Sequence, residues 1–288
     1  MNTIIGMTAA AAVAGSACLL RSEYEKDELS VERYEIRSPK VKNAGKTFVF
    51  LTDLHDKEFG DRNRRLLAAI RGERPDAVLA GGDMVVAKGD TDLRPALSLL
   101  TTLAKEFPVF CANGNHEQRM RRVTQTYGLL YREYRLKLKA EGVVYLADSF
   151  LDFGEEFRIC GMDLPALCYR KGTPKLPAGF IERTLGPAPD KQFVVLLAHS
   201  PMFFEEYAAW GADLTLAGHF HGGTIRLPFL GGVMTPQYQF FYPWCEGFFE
   251  KRGRYMLAGR GLGTHSINIR LNNKPQLIVV RVEKETRF

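Results

Sequence analysis

Hydrophobic positions along this chain follow two rhythms. Short unbroken apolar runs (TFVFLT, DAVLAG, PVFCAN) alternate with longer stretches in which apolar residues recur every three or four positions. The first kind predicts buried strands and the second amphipathic helices. Over residues 47–113 they give a strand, a helix over 61–73, a strand, a helix over 93–107 and a strand. The first helix carries Leu66, Leu67 and Ile70 on one face, with Asp61 as its expected N-cap. This β-α-β-α-β order predicts an α/β fold with helices packed on a parallel sheet. The habit returns later, where QFVVLLAHS and DLTLAGHFH read as strands around the helix SPMFFEEYAAWG. YMLAGRG, INIRL and LIVVRV read as antiparallel strands completing a sheet. Residues 118–190 are less regular and predict a small cap or an extended edge.

Polar residues change the picture at the strand ends. The strands run out into TDLHD, GGD, NGNHE, AHSP and GHFHGG, and five of the six histidines fall in these segments. In an open α/β sheet, ligands bind at the carboxyl ends of the strands. Asp53 and His55, like His219 and His221, stand two apart and point the same way if the backbone is extended. Buried lone histidines are usually core hydrogen-bonders, but paired ones facing a point suit a metal. Thiolates are too few there for a structural zinc site, and nitrogen donors too many for calcium or magnesium. A mixed N/O set of this size fits two divalent ions such as Mn, Fe or Zn, about 3.5–4 Å apart.

D-x-H, G-G-D, G-N-H-E, H and G-H-x-H, in this order and each after a strand, resemble the calcineurin-like metallophosphoesterase superfamily. The resemblance covers roughly residues 45–288. GHFHGGTIRLPFLGG and GRGLGTHSINIRLNNKPQ are similar to its bacterial membrane-tethered branch. It implies a four-layer α-β-β-α sandwich of two mixed sheets flanked by helices, with a binuclear metal site at the strands' C-terminal edge. It implies Asp53, His55 and His221 as ligands of one metal, Asp83 as the bridging carboxylate, and Asn115, His199 and His219 on the second. His116 would be the general acid or a positive charge on the transition state. The expected reaction is in-line attack on phosphorus by a metal-bridging hydroxide. One departure bears on substrate: the superfamily's protein phosphatases carry a further Asp where this chain has Val86, in GGDMVVAKG. His116 then lacks its usual carboxylate; Glu117 or another acid replacing it, or a histidine tuned differently, are the expectations. Phosphodiesters of small molecules or lipids are therefore favoured over phosphoproteins. A UDP-diacylglucosamine-type pyrophosphatase, a nuclease or cyclic-nucleotide phosphodiesterase, and a metal-loaded binding module are the alternatives.

The formal net charge of +6 in 288 residues points to anionic partners. The basic run around YREYRLKLK reads as the solvated face of a helix, so nucleic acid is not the expected partner. Residues 1–22 form an apolar segment, 23–44 a linker or edge, and 45–288 the catalytic domain. Residues 3–20 carry no charge and as a helix would span roughly 27 Å, near the roughly 30 Å of a bilayer core. Membrane association, with a lipid-linked substrate, is the expectation from it, and a buried or frayed helix in a cytoplasmic protein the alternative. Five scattered cysteines without Cys-x-x-Cys predict free buried thiols, with a Cys160–Cys168 bridge the other option. His265 is expected as a turn residue or a pocket liner. Ser200 lacks the G-x-S-x-G context of a nucleophile.

Overall fold

The computed structural model describes residues 2–223, 225–227, 231–264 and 268–285. In chain order, helix α1 (Asn2–Asp27) leads into β1 (Ser30–Ser38) and β2 (Lys46–Leu51), followed by α2 (Arg64–Glu73), β3 (Ala77–Ala80), α3 (Arg94–Ala104) and β4 (Val109–Ala112). Then come α4 (Asn115–Arg122), α5 (Thr124–Tyr127), α6 (Leu130–Ala140), β5 (Val144–Leu146), β6 (Ser149–Phe153) and β7 (Phe157–Met162). The remainder is α7 (Phe180–Leu185), β8 (Phe193–Ala198), α8 (Phe204–Trp210), β9 (Leu214–Ala217), the hairpin β10 (Ile225–Leu227) and β11 (Gly231–Met234), β12 (Gly247–Lys251), β13 (Arg254–Ala258) and β14 (Gln276–Lys284).

Two six-stranded mixed sheets result, ordered β1-β14-β2-β3-β4-β5 and β12-β13-β9-β8-β7-β6. Strand alternation explains why they stack. Phe48 and Phe50 of β2 meet Val195 and Leu197 of β8 in one core between the sheets. Val49 and Leu51 turn the other way onto Leu66 and Ile70 of α2 and Leu100 of α3. Val194 and Leu196 of β8 cover Ile181 of α7 and Tyr207 of α8. Strands buried on both faces read as continuous apolar runs, and the layers are α-β-β-α as the resemblance implied.

Several elements differ from the sequence reading. Of the two expectations for 118–190 the extended edge holds and the cap does not: the stretch supplies α5, α6, α7 and the edge strands β5 and β6 with β7, extending both sheets. The basic run lies on α4 and α6, where Tyr131, Tyr134 and Leu138 are buried and the charges between them mostly face out. Asp61 does not cap α2; it opens a short 3-10 turn, and the helix begins at Arg64. Asn63, just before it, has left-handed backbone and accepts a hydrogen bond from Phe59 N–H through Oδ1. The late strands are mixed: β13 runs parallel to β9, and β14 runs antiparallel to β2 but parallel to β1. Residues 268–271 are not strand, and His265 lies outside the described residues. Residues 23–44 contain the end of α1 and the edge strand β1. All five cysteines are free, and only Cys18 is exposed. Among the described residues, no helix is long and apolar enough to cross a membrane.

Candidate metal centre

Each strand-end motif lands at one rim. Asp53 and His55 follow β2, Asp83 follows β3, Asn115 and His116 open α4 behind β4, His199 follows β8, and His219 and His221 follow β9. The backbone there is not extended. Asp53, His55, Asp83, His219 and His221 all have positive φ, between 46° and 68°. Left-handed backbone costs a non-glycine residue roughly 1–2 kcal/mol, though Asp and His tolerate it better than most. Five such residues at one rim mark a strained site whose cost other contacts must offset. Glycine makes the crowding feasible. A Cβ on Gly114 would sit 2.2 Å from Asp83 Oδ1, and one on Gly218 would sit 2.2 Å from Asp53 Oδ2.

The side chains converge on two overlapping points. Asp53, His55 and His221 hold ligand atoms within 4.8 Å of one another, as do Asp83, His199 and His219, and also His55, Asp83 and His116. The Nε2 atoms of His55 and His221 are 3.2 Å apart, and Asp53 Oδ1 lies 3.4 Å from His221 Nε2. Asp83 Oδ1 is fixed by His116 N–H at 2.8 Å. Its Oδ2 faces His199 Nε2 at 3.1 Å and His55 Nε2 at 3.9 Å, so one carboxylate oxygen serves both groups.

Backbone contacts sort the imidazoles into two kinds. His199 Nδ1 lies 2.9 Å from Gly81 O and His221 Nδ1 3.1 Å from Gly263 O. A carbonyl only accepts, so both Nδ1 atoms carry hydrogen and both Nε2 atoms face the centre, each able to ligate a cation once it carries no proton, as orienting contacts arrange in metal sites. His116 is the reverse. Its Nδ1 accepts from Ala87 N–H at 2.7 Å, which places the hydrogen of the neutral ring on Nε2, 4.0 Å from Asp83 Oδ2. His116 thus presents a donor where its neighbours present ligands. Its expected carboxylate partner is not Glu117, which accepts instead from the N–H groups of Asp83, Met84 and Gly114 at 2.8–2.9 Å and ties the GGD loop to α4.

A family profile for calcineurin-like phosphoesterase matches residues 46–223, more than half of the chain and every one of these motifs. The chain belongs to the calcineurin-like phosphoesterases. Similar proteins include the metallophosphoesterase YkuE of Bacillus subtilis, 28% identical over 75% of this chain and 71% of the relative. Phosphodiesterase YaeI of Escherichia coli is 29% identical over 81% of each chain. A metallophosphoesterase of Aquifex aeolicus is 27% identical over 91% of this chain and 95% of its own. The protein is a metal-dependent phosphoester hydrolase, and calcineurin-like phosphoesterases use a binuclear divalent metal site. The donor set here fits such a site. Asn115 Oδ1 is shielded from solvent and has no hydrogen-bond partner among the described residues, an arrangement that costs stability unless a cation takes the oxygen.

Charges in the metal-free cluster hold protons that cations must displace. Burial pushes His199 down, but the carboxylates of Asp83 and Asp53 outweigh it and raise the ring to about 10. Burial raises Asp53 to about 6. Burial also opposes ionisation of Asp83, yet His199 and His116 hold it well below the usual carboxylate range. A cation binding at neutral pH therefore expels the His199 proton. Calorimetric titration in buffers of differing ionisation enthalpy should show proton release on metal binding and an affinity that rises with pH toward 10. The stability sign follows. The raised His199 pKa stabilises the metal-free protein below 6.5, and that contribution is lost as pH climbs toward 10. Chelated protein should melt lower at pH 9 than at pH 6.5.

Two residues inside the quoted motifs, Arg270 and Asn113, have no role in the sequence reading. Arg270 is buried and its guanidinium donates to the carbonyls of Arg260, Gly261 and Gly263, the last being the carbonyl that orients His221. Asn113 Nδ2 donates to Asp163, which Arg121 also holds. INIRL reads as a strand, and that reading gives Arg270 no role at the site.

Proposed function

We propose that this phosphoesterase is a phosphodiesterase whose first cation is held by Asp53, His55 and His221 and whose second is held by Asn115, His199 and His219, with Asp83 between them. The sharing of Asp83 Oδ2 between both groups carries the reading, because a carboxylate offsets the repulsion of two closely spaced dications. When bound, the cations supply Lewis acidity toward phosphoryl oxygens and make water acidic enough to attack at neutral pH. The chain supplies the rest. Gly81 and Gly263 carbonyls hold the Nδ1–H of His199 and His221 and so turn the Nε2 atom of each ring toward the centre. His116 Nε2–H donates to a phosphoryl oxygen as negative charge moves onto it.

The diester preference rests on charge. Burial lowers the His116 pKa, and Ala87 N–H keeps its Nδ1 an acceptor, so the ring adds no positive charge at neutral pH. A singly charged diester suits that site better than a doubly charged monoester, and the relative YaeI is a phosphodiesterase. Protein stripped with chelator and reloaded with Mn²⁺ should hydrolyse bis(p-nitrophenyl) phosphate faster than p-nitrophenyl phosphate. A clear monoester preference would overturn the diester assignment. The finer reading, a lipid-linked phosphoester met at a membrane surface, has behind it the exposed Val13, Leu19, Leu20 and Tyr24 of α1. It requires α1 to bind phospholipid vesicles in a flotation experiment, and protein that stays wholly in the aqueous fraction removes it.

A further inference from the structure

Tyr169 lies in a 3-10 turn, Ala166–Tyr169, that packs against α4, the helix opening with Asn115 and His116. Its ring stands edge-on to His219, with centroids 5.0 Å apart, and 6.2 Å from His199. The hydroxyl is shielded from solvent and has no hydrogen-bond partner among the described residues. A phenol hydroxyl is a donor at neutral pH, and this one is buried on a ring that packs against the second ligand group.

The fold invests in holding that turn. Gln237 Nε2 donates to the carbonyls of Cys168 and Arg170, and Gln239 Nε2 donates to Gly172 O. These glutamines come from the segment just after β11, whose Gly232 packs against Gly222 and Gly223 behind His221. Both sides of Tyr169 are thus tied to the strand-end loop that carries His219 and His221. A phenylalanine would pack against His219 as well and leave no donor unsatisfied. The hydroxyl is destabilising until something accepts from it.

We propose that the Tyr169 hydroxyl donates a hydrogen bond to a phosphoryl oxygen of the substrate bound at the His199–His219 side of the centre. This rests on the two-cation reading above and adds a substrate-contacting donor from outside every strand-end motif. His116 and Tyr169 then approach the phosphoryl group from different elements, α4 and the turn packed against it. A non-bridging oxygen takes the Tyr169 bond, so no proton is transferred to the leaving group.

The test is Tyr169→Phe in the full chain reloaded with Mn²⁺, read three ways. Metal content by elemental analysis should match wild type. The affinity for inorganic phosphate, measured by calorimetry or competitive inhibition, should weaken by about tenfold. The fall in kcat/KM for a diester should be at least as large and the same for p-nitrophenyl and alkyl leaving groups, since the bond is not to the leaving oxygen. Unchanged phosphate affinity and kcat/KM overturn the proposal. Loss of metal also overturns it, since the residue would then act by propping His219. A loss confined to alkyl leaving groups overturns the assigned oxygen and with it the proposal. Phosphate affinity is read without turnover, so a wild-type enzyme that prefers monoesters sinks the diester reading without touching this one.

Discussion

Asp83→Asn should cut diester hydrolysis by about 10³-fold or more, the loss of several kcal/mol of transition-state charge stabilisation, and should lower the bound metal below two ions per chain. The two oxygens of Asp83 have separate duties. Oδ1 takes the His116 N–H at the start of α4, and Oδ2 faces His199 and His55 together. An amide has one oxygen. If it keeps the bond to His116 N–H, its NH₂ points two hydrogens at the shared position where cations must sit. If it flips, the backbone N–H at α4 loses its acceptor. Either way a negative charge leaves the space between two dications. Elemental analysis beside turnover checks this, and a variant that keeps both ions and normal rates would refute the bridging role. Melting temperature separates the effect from misfolding. Without metal the variant should lose less stability than wild type between pH 6.5 and pH 9, because the carboxylate that does most to raise the His199 pKa is gone.

What could be read from the residues alone divides along physical lines. Strands buried on both faces are continuous apolar runs, so their ends, and the polar residues at those ends, stand out in the sequence. β2, β3, β4, β8 and β9 all terminate within two residues of where the apolar runs stop. The left-handed turns that aim Asp53, His55, Asp83, His219 and His221 had no such signal. The alternation argument assumed extended backbone, whereas φ is positive at both members of each pair; the convergence came from turn geometry. Glu117 looked available to support His116 because it is its neighbour, but consecutive residues at a helix start point to different sides. Glu117 bonds backward into the GGD loop, while His116 faces Asp83. Ala87 N–H, the actual partner of His116, is a backbone group that any residue there would supply. Tyr169 and Arg270 were missed for a related reason. Each acts through tertiary contacts: Tyr169 in a stretch with a weak hydrophobic pattern, Arg270 in a signature segment that reads only as a strand.

His116→Ala should lower turnover by on the order of 10²-fold while leaving metal content intact, because this ring presents hydrogen rather than a lone pair to the centre. The direction of the pH dependence tells how it acts. An imidazolium acting as general acid would lose function as pH rises through its pKa. A neutral ring donating from Nε2 loses function only as pH falls and Nδ1 gains a proton, breaking the bond from Ala87 N–H. Burial, partly opposed by Asp83, lowers the His116 pKa below its usual 6.5, so wild-type kcat should stay level through neutral pH and show no His116-dependent loss on the alkaline side. The acid-side loss, below pH 6.5, should shrink in His116→Gln, which still offers an amide N–H but does not titrate. His116→Gln should also retain more activity than His116→Ala. An alkaline limb that disappears in both variants would instead make His116 a proton donor to the leaving oxygen. The neutral-donor account, and the charge argument for diesters built on it, would then fail together.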